Sequence, residues 1–492
     1  STAQSLQRAK EIGIRKVLGS RRTALVIQFM SETFLLVFIA LVLSLALLQP
    51  ALFAFPSFIP AGLRVNLLDP ATLGFALGTL ILTTLLSGFY PAWVLSSFVP
   101  ARTLKNQKSS TGGLGNRIGK GLVVFQFTIS IVFIIATIVI SNQLHFMLGK
   151  DLGFARNAII HFSGEDKDSL TRRSLLRDRI RALPGVERVS MDWQPPAIHG
   201  AWSTTIDHAG PASVKADINV RTADTSYIPL YKLKLLAGRN FLPSDTVKEV
   251  VINATYAQMM GFRNPDQAIE QTINLWGKTT PIVGVVADFN LRSLQHAIKP
   301  LLITTFANTQ TGYSVKLRTR GETMVNFRQT IREIEQNWAA VFPDKPFSYT
   351  FVDEALKKLY EGEQKTSRLI NLAMAITIII SCMGLFGLAA LTAEQRTREI
   401  GIRKVLGARA GDITTMLSRD FLLLVVIAFV ISSPIAYYFL NRWLQDYTYR
   451  TSVSWWIFAL AGLSAVSIAL LTVIFHAVRA ALMNPVKSLR AE

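Results

Sequence analysis

The nine residues EIGIRKVLG run from Glu11 to Gly19, and the same nine residues run again from Glu399 to Gly407. The two copies lie 388 residues apart, and at that offset Gln7-Arg8 before the first copy matches Gln395-Arg396 before the second. Since an identity of nine residues at a single spacing is not expected by chance, the strings indicate an internal duplication. Each copy leads into a long apolar run, so the duplicated unit is a large membrane module rather than a solenoid repeat.

In helical geometry the repeated string forms a short, basic, amphipathic helix. Ile14, Val17 and Leu18 share one face of it. Glu11 stands four residues before Arg15, which is the favourable order for an ion pair on a helix. The string therefore predicts a helix that lies at a membrane surface.

Gly19 and Gly407 stand where such a helix can end before the next one begins. The alternative is that each string is only a positive flank that sets the topology of the neighbouring span. Topology requires positive charge, however, and does not require the same glutamate, glycine and isoleucine in two places. The duplication favours a shared working part.

The composition indicates a membrane protein. Half of the residues are hydrophobic, the mean hydropathy is +0.34 and the net charge is +20. The basic residues flank apolar runs, which follows the positive-inside rule and excludes a nucleic acid as the partner. Cys382, the only cysteine, lies inside an apolar run, so neither a disulfide framework nor a thiolate metal site is expected. The chain begins with Ser1 and a basic stretch, from which we expect that an N-terminal portion of the protein precedes it.

Six apolar segments are long enough to span a membrane, and they cover residues 23–48, 71–96, 121–142, 367–392, 419–440 and 455–478. The basic residues concentrate between and after them, in residues 1–22, 97–120, 393–418 and the C-terminal tail. All four basic stretches fit the cytoplasmic side together, with both termini inside. The large block 146–366 then lies on the outer side.

Two smaller signals concern how the spans sit in the membrane. Gly74 and Gly78 have the spacing of closely packed membrane helices. Aromatic residues flank the second outer loop and predict a belt at the outer interface; they are Tyr437, Tyr438, Trp443, Tyr447, Tyr449, Trp455 and Trp456.

The outer block is predicted to be an α+β domain, because it contains two separated strand–helix–strand units. The first unit comprises Ala158–Phe162, Asp166–Leu183 and Val186–Met191, and the second comprises Ser314–Arg318, Met324–Trp338 and Phe347–Val352. Such a pair predicts a ferredoxin-like subdomain. Val250–Asn253 and Pro281–Val286 are short β-rich runs between the units and predict a second, smaller β subdomain. We expect the last helix, Asp353–Gln364, to continue into the span at 367–392 as a stalk.

The sequence contains no catalytic or metal-binding pattern. A phosphate loop G-x-x-x-x-G-K-[ST] is absent, so the chain is not expected to bind or hydrolyse ATP by itself. The six histidines form no cluster with metal-ligand spacing. The acids Glu165, Asp166 and Asp168 read as the solvated start of a helix rather than a paired-acid site.

Two acids stand at the membrane edge, at equivalent positions of the duplication. Glu32 lies in the first span, and Asp420 lies 388 residues later. An unpaired carboxylate there is costly. We therefore favour pairing of each acid with a basic group that fixes the neighbouring helix, and the alternative is exposure to lipid headgroups.

The chain resembles the FtsX-like, MacB-type permeases of ABC transporters. The resemblance rests on the repeated string and on four further motifs, which are GFYP at 88–91, LAGRNF at 236–241, GVVADF at 284–289 followed by Ser293-Leu294, and NPVKSL at 484–489. It implies an α-helical polytopic membrane protein with six transmembrane helices in this chain and an α+β periplasmic domain, made of a ferredoxin-like porter subdomain and a small β subdomain. The implied location is the bacterial inner membrane.

The resemblance also implies the domain boundaries. Residues 1–120 are the remainder of a first permease module, with a coupling helix at 8–20 and spans at 23–48 and 71–96. A transmembrane helix at 121–145 and the periplasmic domain at 146–366 follow. Residues 367–492 complete the second module, with spans at 367–392, 419–440 and 455–478 and a coupling helix at 396–408. The intact protein would have eight spans and two outer domains.

In this family the coupling helices rest on a separate cytoplasmic ATPase dimer, which binds the ATP, and no cofactor or metal is implied for this chain itself. The implied coupling residues are Glu11, Arg15, Lys16, Gly19, Glu399, Arg403, Lys404 and Gly407. The expected function is to convert ATP hydrolysis into periplasmic movement that exports a cargo, with a periplasmic adaptor or effector as a further partner.

Two other functions stay open at this point. The same movement can control a periplasmic partner such as a cell-wall hydrolase, with nothing transported. The fused double module favours the transporter, because the cell-division type resembles a single module with a small outer domain. A periplasmic membrane enzyme is a third function, for which the sequence offers no catalytic constellation.

Overall fold

The computed structural model describes residues 20–54, 56–58, 66–96, 111–164, 169–196, 202–207, 215–319 and 327–482. Its contacts divide the chain into two compact units. The first unit comprises Ser1–Ile140, Lys365–Asn441 and Val453–Glu492, and the second comprises Ser141–Gln364 and Arg442–Ser452.

The first unit is helical. Its long helices are α1 (Arg22–Ala54), α2 (Pro70–Ser96), α3 (Thr111–Gly149), α9 (Glu361–Gln395), α11 (Ala410–Gln445) and α12 (Trp455–Leu482), and the short α10 (Thr397–Val405) stands between α9 and α11. In the described part of the chain, six helices are long and apolar enough to cross a membrane. Large apolar side chains such as Leu36, Leu86 and Leu463 point outward from them, as lipid-facing residues do. The prediction of a polytopic helical protein with six spans is confirmed.

Small residues set the close contacts between these helices. A Cβ atom on Gly88 would lie 3.2 Å from Thr33, and one on Gly384 would lie 2.3 Å from the side-chain oxygen of Gln126. Around Gly74 and Gly78 the described residues leave open space within 4 Å, so no described helix makes the packing predicted there. The helices α1 and α2 do contact each other, and one close point is Gly88, ten residues after Gly78, where a missing side chain lets the helices approach.

The second unit contains a four-stranded sheet of β1 (Ile159–Ser163), β2 (Val186–Asp192), β10 (Gly312–Leu317) and β11 (Thr350–Phe351). The strand order is β11-β1-β10-β2, and all pairs are antiparallel. Two helices, α4 (Leu170–Arg181) and α7 (Phe327–Val341), pack on the sheet through a core that includes Phe162, Ile180 and Trp338. This arrangement is the predicted ferredoxin-like subdomain.

A seven-stranded sheet forms the rest of the second unit. Its strands are β3 (Trp202–Asp207), β4 (Lys215–Thr222), β5 (Leu235–Gly238), β6 (Val250–Asn253), β7 (Thr272–Leu275), β8 (Lys278–Val286) and β9 (Leu301–Thr304). Their order is β3-β4-β9-β6-β8-β5, with β7 paired to β8. The short helices α5 (Tyr227–Leu230) and α6 (Ala254–Met259) connect strands. The two predicted runs are β6 and the second half of β8.

Two of the sequence motifs meet inside this sheet. In the pairing of β5 with β8, Gly238 stands opposite Gly284. Gly238 has a φ of +70°, and a Cβ atom there would lie 2.3 Å from the carbonyl oxygen of Val283. A Cβ atom on Gly284 would lie 2.2 Å from the carbonyl oxygen of Arg239. Both positions therefore require glycine, because the two backbones approach too closely for a side chain.

The expected continuous helix into the membrane is broken, which corrects the prediction. The helix α8 (Val352–Leu359) ends at Tyr360, and α9 starts again at Glu361. Tyr360 has φ −106° and ψ 12°, outside the helical region. Its ring is buried in the core of the second unit, and its hydroxyl accepts a hydrogen bond from the Leu294 N–H at 3.2 Å. The helix is therefore interrupted at the residue whose ring is anchored in the core.

Part of the predicted aromatic belt belongs to the second unit instead. Tyr447 is buried in its core, and Trp443 packs against the same cluster. The surrounding loop is held by Gln143, which donates to the Tyr449 carbonyl at 2.9 Å and accepts from the Thr451 N–H at 2.8 Å. The loop 442–452 is therefore structurally part of the outer domain.

Candidate functional site

The second copy of the repeated string folds as the short helix α10, as predicted. The helix begins at Thr397, with Arg396 between it and the end of α9 at Gln395, and its last helical residue is Val405. Gly407 has a φ of +91°, and the Ala408 N–H reaches back to the Arg403 carbonyl at 3.0 Å. This six-to-one bond is the Schellman motif, in which a left-handed glycine ends a helix. The predicted end of the helix at Gly407 is confirmed.

The next helix starts immediately afterwards. Arg409 is the residue before α11, and its N–H donates to the Asp412 carboxylate at 3.0 Å. An acid at the third helical position that binds the backbone before the helix fixes the start of that helix. The two motifs together confine the turn between α10 and α11 to four residues, 406–409.

Two of the predicted coupling residues form an ion pair on α10. Arg403 Nη2 lies 2.8 Å from Glu399 Oε1, four residues earlier, and both side chains are about half exposed. Such a pair contributes only a few tenths of a kcal/mol to helix stability, roughly 0.3–0.5. It orients the two charges along the outer surface of α10 more than it stabilises the fold.

The membrane-edge acid Asp420 has a basic partner. Arg396 Nη2 donates to Asp420 Oδ2 at 2.8 Å, so the junction of α9 and α10 is tied to α11. The predicted pairing of this acid is present. The equivalent acid Glu32 accepts a hydrogen bond from Gln28 Nε2, one turn earlier, at 3.2 Å.

The apolar residues of α10 divide between two faces. Ile400 is buried, and the helix contacts α12. Ile402 and Val405 are 47% and 64% exposed, and Leu406, the residue directly after the helix, is 80% exposed. These three residues are the equivalents of Ile14, Val17 and Leu18 in the first copy, which the sequence placed on one face. The outward apolar face of α10, formed by Ile402, Val405 and Leu406, is therefore uncovered within the described part of the chain.

The remaining predicted coupling residues are not described. Glu11, Arg15, Lys16 and Gly19 lie outside the described residues, and so does the side chain of Lys404. The roles of all eight coupling residues remain predictions. Sequence reasoning did not identify Arg396 as the partner of Asp420, although Gln395-Arg396 had been noted as part of the duplicated string.

The second unit holds buried polar groups where its two sheets meet. The Asp224 carboxylate accepts hydrogen bonds from the Ser190 hydroxyl at 2.7 Å and from the Met191 N–H at 3.0 Å, and burial raises its pKa. The Tyr231 hydroxyl donates to Ser314 Oγ at 2.8 Å, and burial raises the pKa of this phenol well above its ordinary value. These bonds join the two subdomains and satisfy groups that would otherwise destabilise the core. Among the described residues, no three His, Cys, Asp or Glu side chains come together as a metal site would require.

Comparison with known proteins matches both halves of this architecture. The FtsX-like permease C-terminal domain matches residues 1–100 and 371–485, and the MacB-like periplasmic core domain matches residues 121–335. The macrolide export ATP-binding/permease protein MacB of Photorhabdus laumondii is 22% identical over 336 residues, which cover 65% of this chain and 50% of that protein. The MacB protein of Escherichia coli is 24% identical over 278 residues, covering 53% of this chain and 41% of that protein. The chain thus spans about half the length, or less, of these relatives.

Two solved structures to which this chain is similar are outer domains. The match to the periplasmic region of MacB from Actinobacillus actinomycetemcomitans spans 43% of this chain and 97% of that structure, with 14% identity and a TM-score of 0.31. The match to the extracellular domain of the transporter YknZ spans 39% of this chain and 97% of that structure, with 16% identity and a TM-score of 0.28. On the family matches, this chain belongs to the FtsX-like, MacB-type permeases and is a multi-pass inner-membrane protein with a periplasmic domain.

Proposed function

We propose that this chain is the permease subunit of an ABC exporter whose ATP-binding subunit is a separate cytoplasmic protein. The family supports the permease role, and the relatives named above combine ATP-binding and permease functions in one protein. The 492 residues contain no phosphate-binding loop, and the proposal places ATP binding on the partner. The proposed function is export of a cargo across the cell envelope.

The observation that carries the proposal is the outward apolar face of α10. Ile402, Val405 and Leu406 project from a helix that is otherwise basic and is placed by its own cap and ion pair. Burial of one such side chain in an interface is worth roughly 1.5–3 kcal/mol. A groove on the ATP-binding subunit that accepts two or three of them would dock the helix as amphipathic helices dock elsewhere.

Movement of the docked helix would pass into the membrane helices through two connections. One is the Arg396–Asp420 pair, which ties the start of α10 to α11. The other is the backbone, because α9 is an uninterrupted helix from Glu361 to Gln395 and only Arg396 separates it from α10. We propose that displacement of α10 tilts α9 as a rigid rod, and that this tilt drives the periplasmic part of the transport cycle.

The test is to purify the protein from its native membranes and to measure which ATP-binding subunit co-purifies. With the double variant Ile402→Ser/Leu406→Ser, the amount of ATP-binding subunit that co-purifies should fall at least tenfold, because two apolar contacts are removed. The control is Ile27→Ser, which changes a similarly exposed apolar residue near the start of α1. Equal recovery of the ATP-binding subunit with both variants would contradict docking through α10 and would favour contact of this face with lipid.

A further inference from the structure

The second unit contains a cavity of about 320 Å³ beside the ends of two membrane-spanning helices. Met147 and Leu148 line it from the last turn of α3, whose span ends at Gly149. Gln364 lines it from the first turn of α9, whose span begins at Glu361. The cavity therefore lies a few residues beyond the predicted spans 121–142 and 367–392, where lipid headgroups are expected to begin. Its volume falls in the range of ligand sites, about 300–1,000 Å³.

The floor of the cavity is apolar. Met147, Leu152 and Leu356 line it, and all three belong to the buried core of this unit. The three side chains are only 1–4% exposed, so the floor offers no polar group to a ligand. A hydrocarbon chain can pack on such a surface, whereas a small inorganic anion finds no partner there.

The rim of the cavity carries charges of both signs. Arg156 and Lys357 supply two cations, and Asp353 supplies one carboxylate. Arg156 makes long contacts to the Leu148 carbonyl, at 3.4 and 3.5 Å, which leave most of its donors available. Across the residues that the structure describes, the side chains of Lys357 and Asp353 have no hydrogen bond or ion pair.

These features match the chemistry of a phospholipid. Two cations suit a phosphate group, the apolar floor suits an acyl chain, and a carboxylate suits a hydrogen-bond donor attached to the phosphate. We propose that this cavity binds one phospholipid of the outer leaflet whose headgroup carries such a donor, an ammonium or a hydroxyl. Arg156 and Lys357 contact its phosphate, and Asp353 selects the donor-bearing headgroup.

The experiment is native mass spectrometry of the whole purified chain, titrated with dioleoyl-phosphatidylethanolamine, dioleoyl-phosphatidylglycerol or dioleoyl-phosphatidylcholine. The first two lipids carry a donor, and the choline lipid carries none. We expect one tightly bound molecule of either donor lipid and about tenfold weaker binding of the choline lipid. Lys357→Gln should weaken binding of the donor lipids about tenfold, because one charge-assisted bond is lost.

The matched control is Lys358→Gln, which removes the same charge from the next residue of α8, outside the cavity lining. Equal weakening by both variants would show attraction to surface charge and would overturn the proposal. Displacement of the lipid by inorganic phosphate at equal concentration would overturn it too, since it would indicate a free-anion site. Asp353→Asn tests the selection directly: it should reduce the preference for donor lipids over the choline lipid, and an unchanged preference would contradict the role of Asp353.

Lys357 is exposed, so its variant is expected to fold, and an unchanged melting temperature in lipid-free detergent checks this.

Discussion

Arg396 and Asp420 are 24 residues apart in the chain and lie 2.8 Å apart through Nη2 and Oδ2. Each belongs to a position that the duplication repeats, because Arg8 and Glu32 stand at the same spacing 388 residues earlier. The pair joins the start of the coupling-helix candidate α10 to the membrane helix α11. The duplication thus keeps a basic and an acidic residue at this spacing in both copies.

We expect Arg396→Gln to leave the protein folded and to reduce stimulation of the partner ATPase. Both side chains are about one-third exposed, so the pair itself contributes no more than about 1 kcal/mol to stability. The charge exchange Arg396→Asp with Asp420→Arg should restore part of the stimulation, measured in reconstituted vesicles. Arg419→Gln is the control, because it removes a neighbouring exposed charge. If the ATPase stimulation by the double exchange is no higher than that by the single variants, the two charges act separately.

The first module allows the same prediction from sequence equivalence. Glu32→Gln should lower ATPase stimulation, and Arg8→Asp with Glu32→Arg should recover it in the same vesicles. Gln28→Ala provides the comparison, since Gln28 donates a hydrogen bond to the Glu32 carboxylate. If Gln28→Ala alone reproduces the loss, the local hydrogen bond and not an ion pair explains the role of Glu32.

Gly407→Ala is expected to weaken the end of α10 by roughly 1 kcal/mol, because a left-handed conformation is unfavourable for a residue with a Cβ atom. The described surroundings leave open space around this position, so a clash does not contribute. Gly411→Ala is the matched control, since Gly411 also lies in open space but within α11, where alanine is favourable. We expect coupling to fall in the first variant and to stay unchanged in the second, measured as ATPase stimulation. Equal ATPase stimulation by the two variants would show that the helix end at Gly407 is tolerated but does not contribute to coupling.

The sequence predicted most of this architecture because its signals are local. Apolar length defined the six spans, and alternating strand and helix patterns defined the ferredoxin-like subdomain, whose two halves are far apart in the chain. The pairing of β5 with β8 was not predictable in this way, since the glycines that permit it, Gly238 and Gly284, look like ordinary breakers in one dimension.

Where the sequence misled, tertiary contacts overrode a local preference. Tyr360 stands in a helical pattern, but its ring is buried in the domain core and the helix stops there. Tyr447 and Trp443 have the composition of an interfacial belt, yet they pack into the outer domain. The Arg396–Asp420 pair joins two helices, so only the duplication hinted at it.

Gly238→Ala should be far more damaging than Gly277→Ala. Both glycines have a positive φ, +70° and +80°, so both substitutions incur roughly 1–2 kcal/mol of backbone strain. Only at Gly238 would the new Cβ atom meet a backbone oxygen, at 2.3 Å, and overpacking adds roughly 1–3 kcal/mol. We expect Gly277→Ala to fold with a lowered melting temperature and Gly238→Ala to fold poorly, as judged by thermal unfolding and expression of the whole chain. Similar melting temperatures would contradict the close approach of the two motifs.

The ion pair of Arg239 with Glu249 should make the stability of the outer domain depend on pH. Glu249 Oε1 lies 2.6 Å from Arg239 Nη2, and this hydrogen bond lowers the pKa of the carboxyl below its ordinary value of 4.5. A carboxyl whose pKa is lower in the folded state stabilises the fold above its unfolded pKa, and this stabilisation is lost as the pH falls through the folded pKa. We therefore expect Glu249→Gln to lower the melting temperature of the whole chain at about pH 7 and to have a smaller effect at about pH 3. Glu335→Gln, at an exposed position of α7, should leave the melting temperature unchanged at both pH values. A deficit of Glu249→Gln that is the same size at both pH values would show that the loss comes from packing and from the hydrogen bond of the Leu242 N–H, not from the charge.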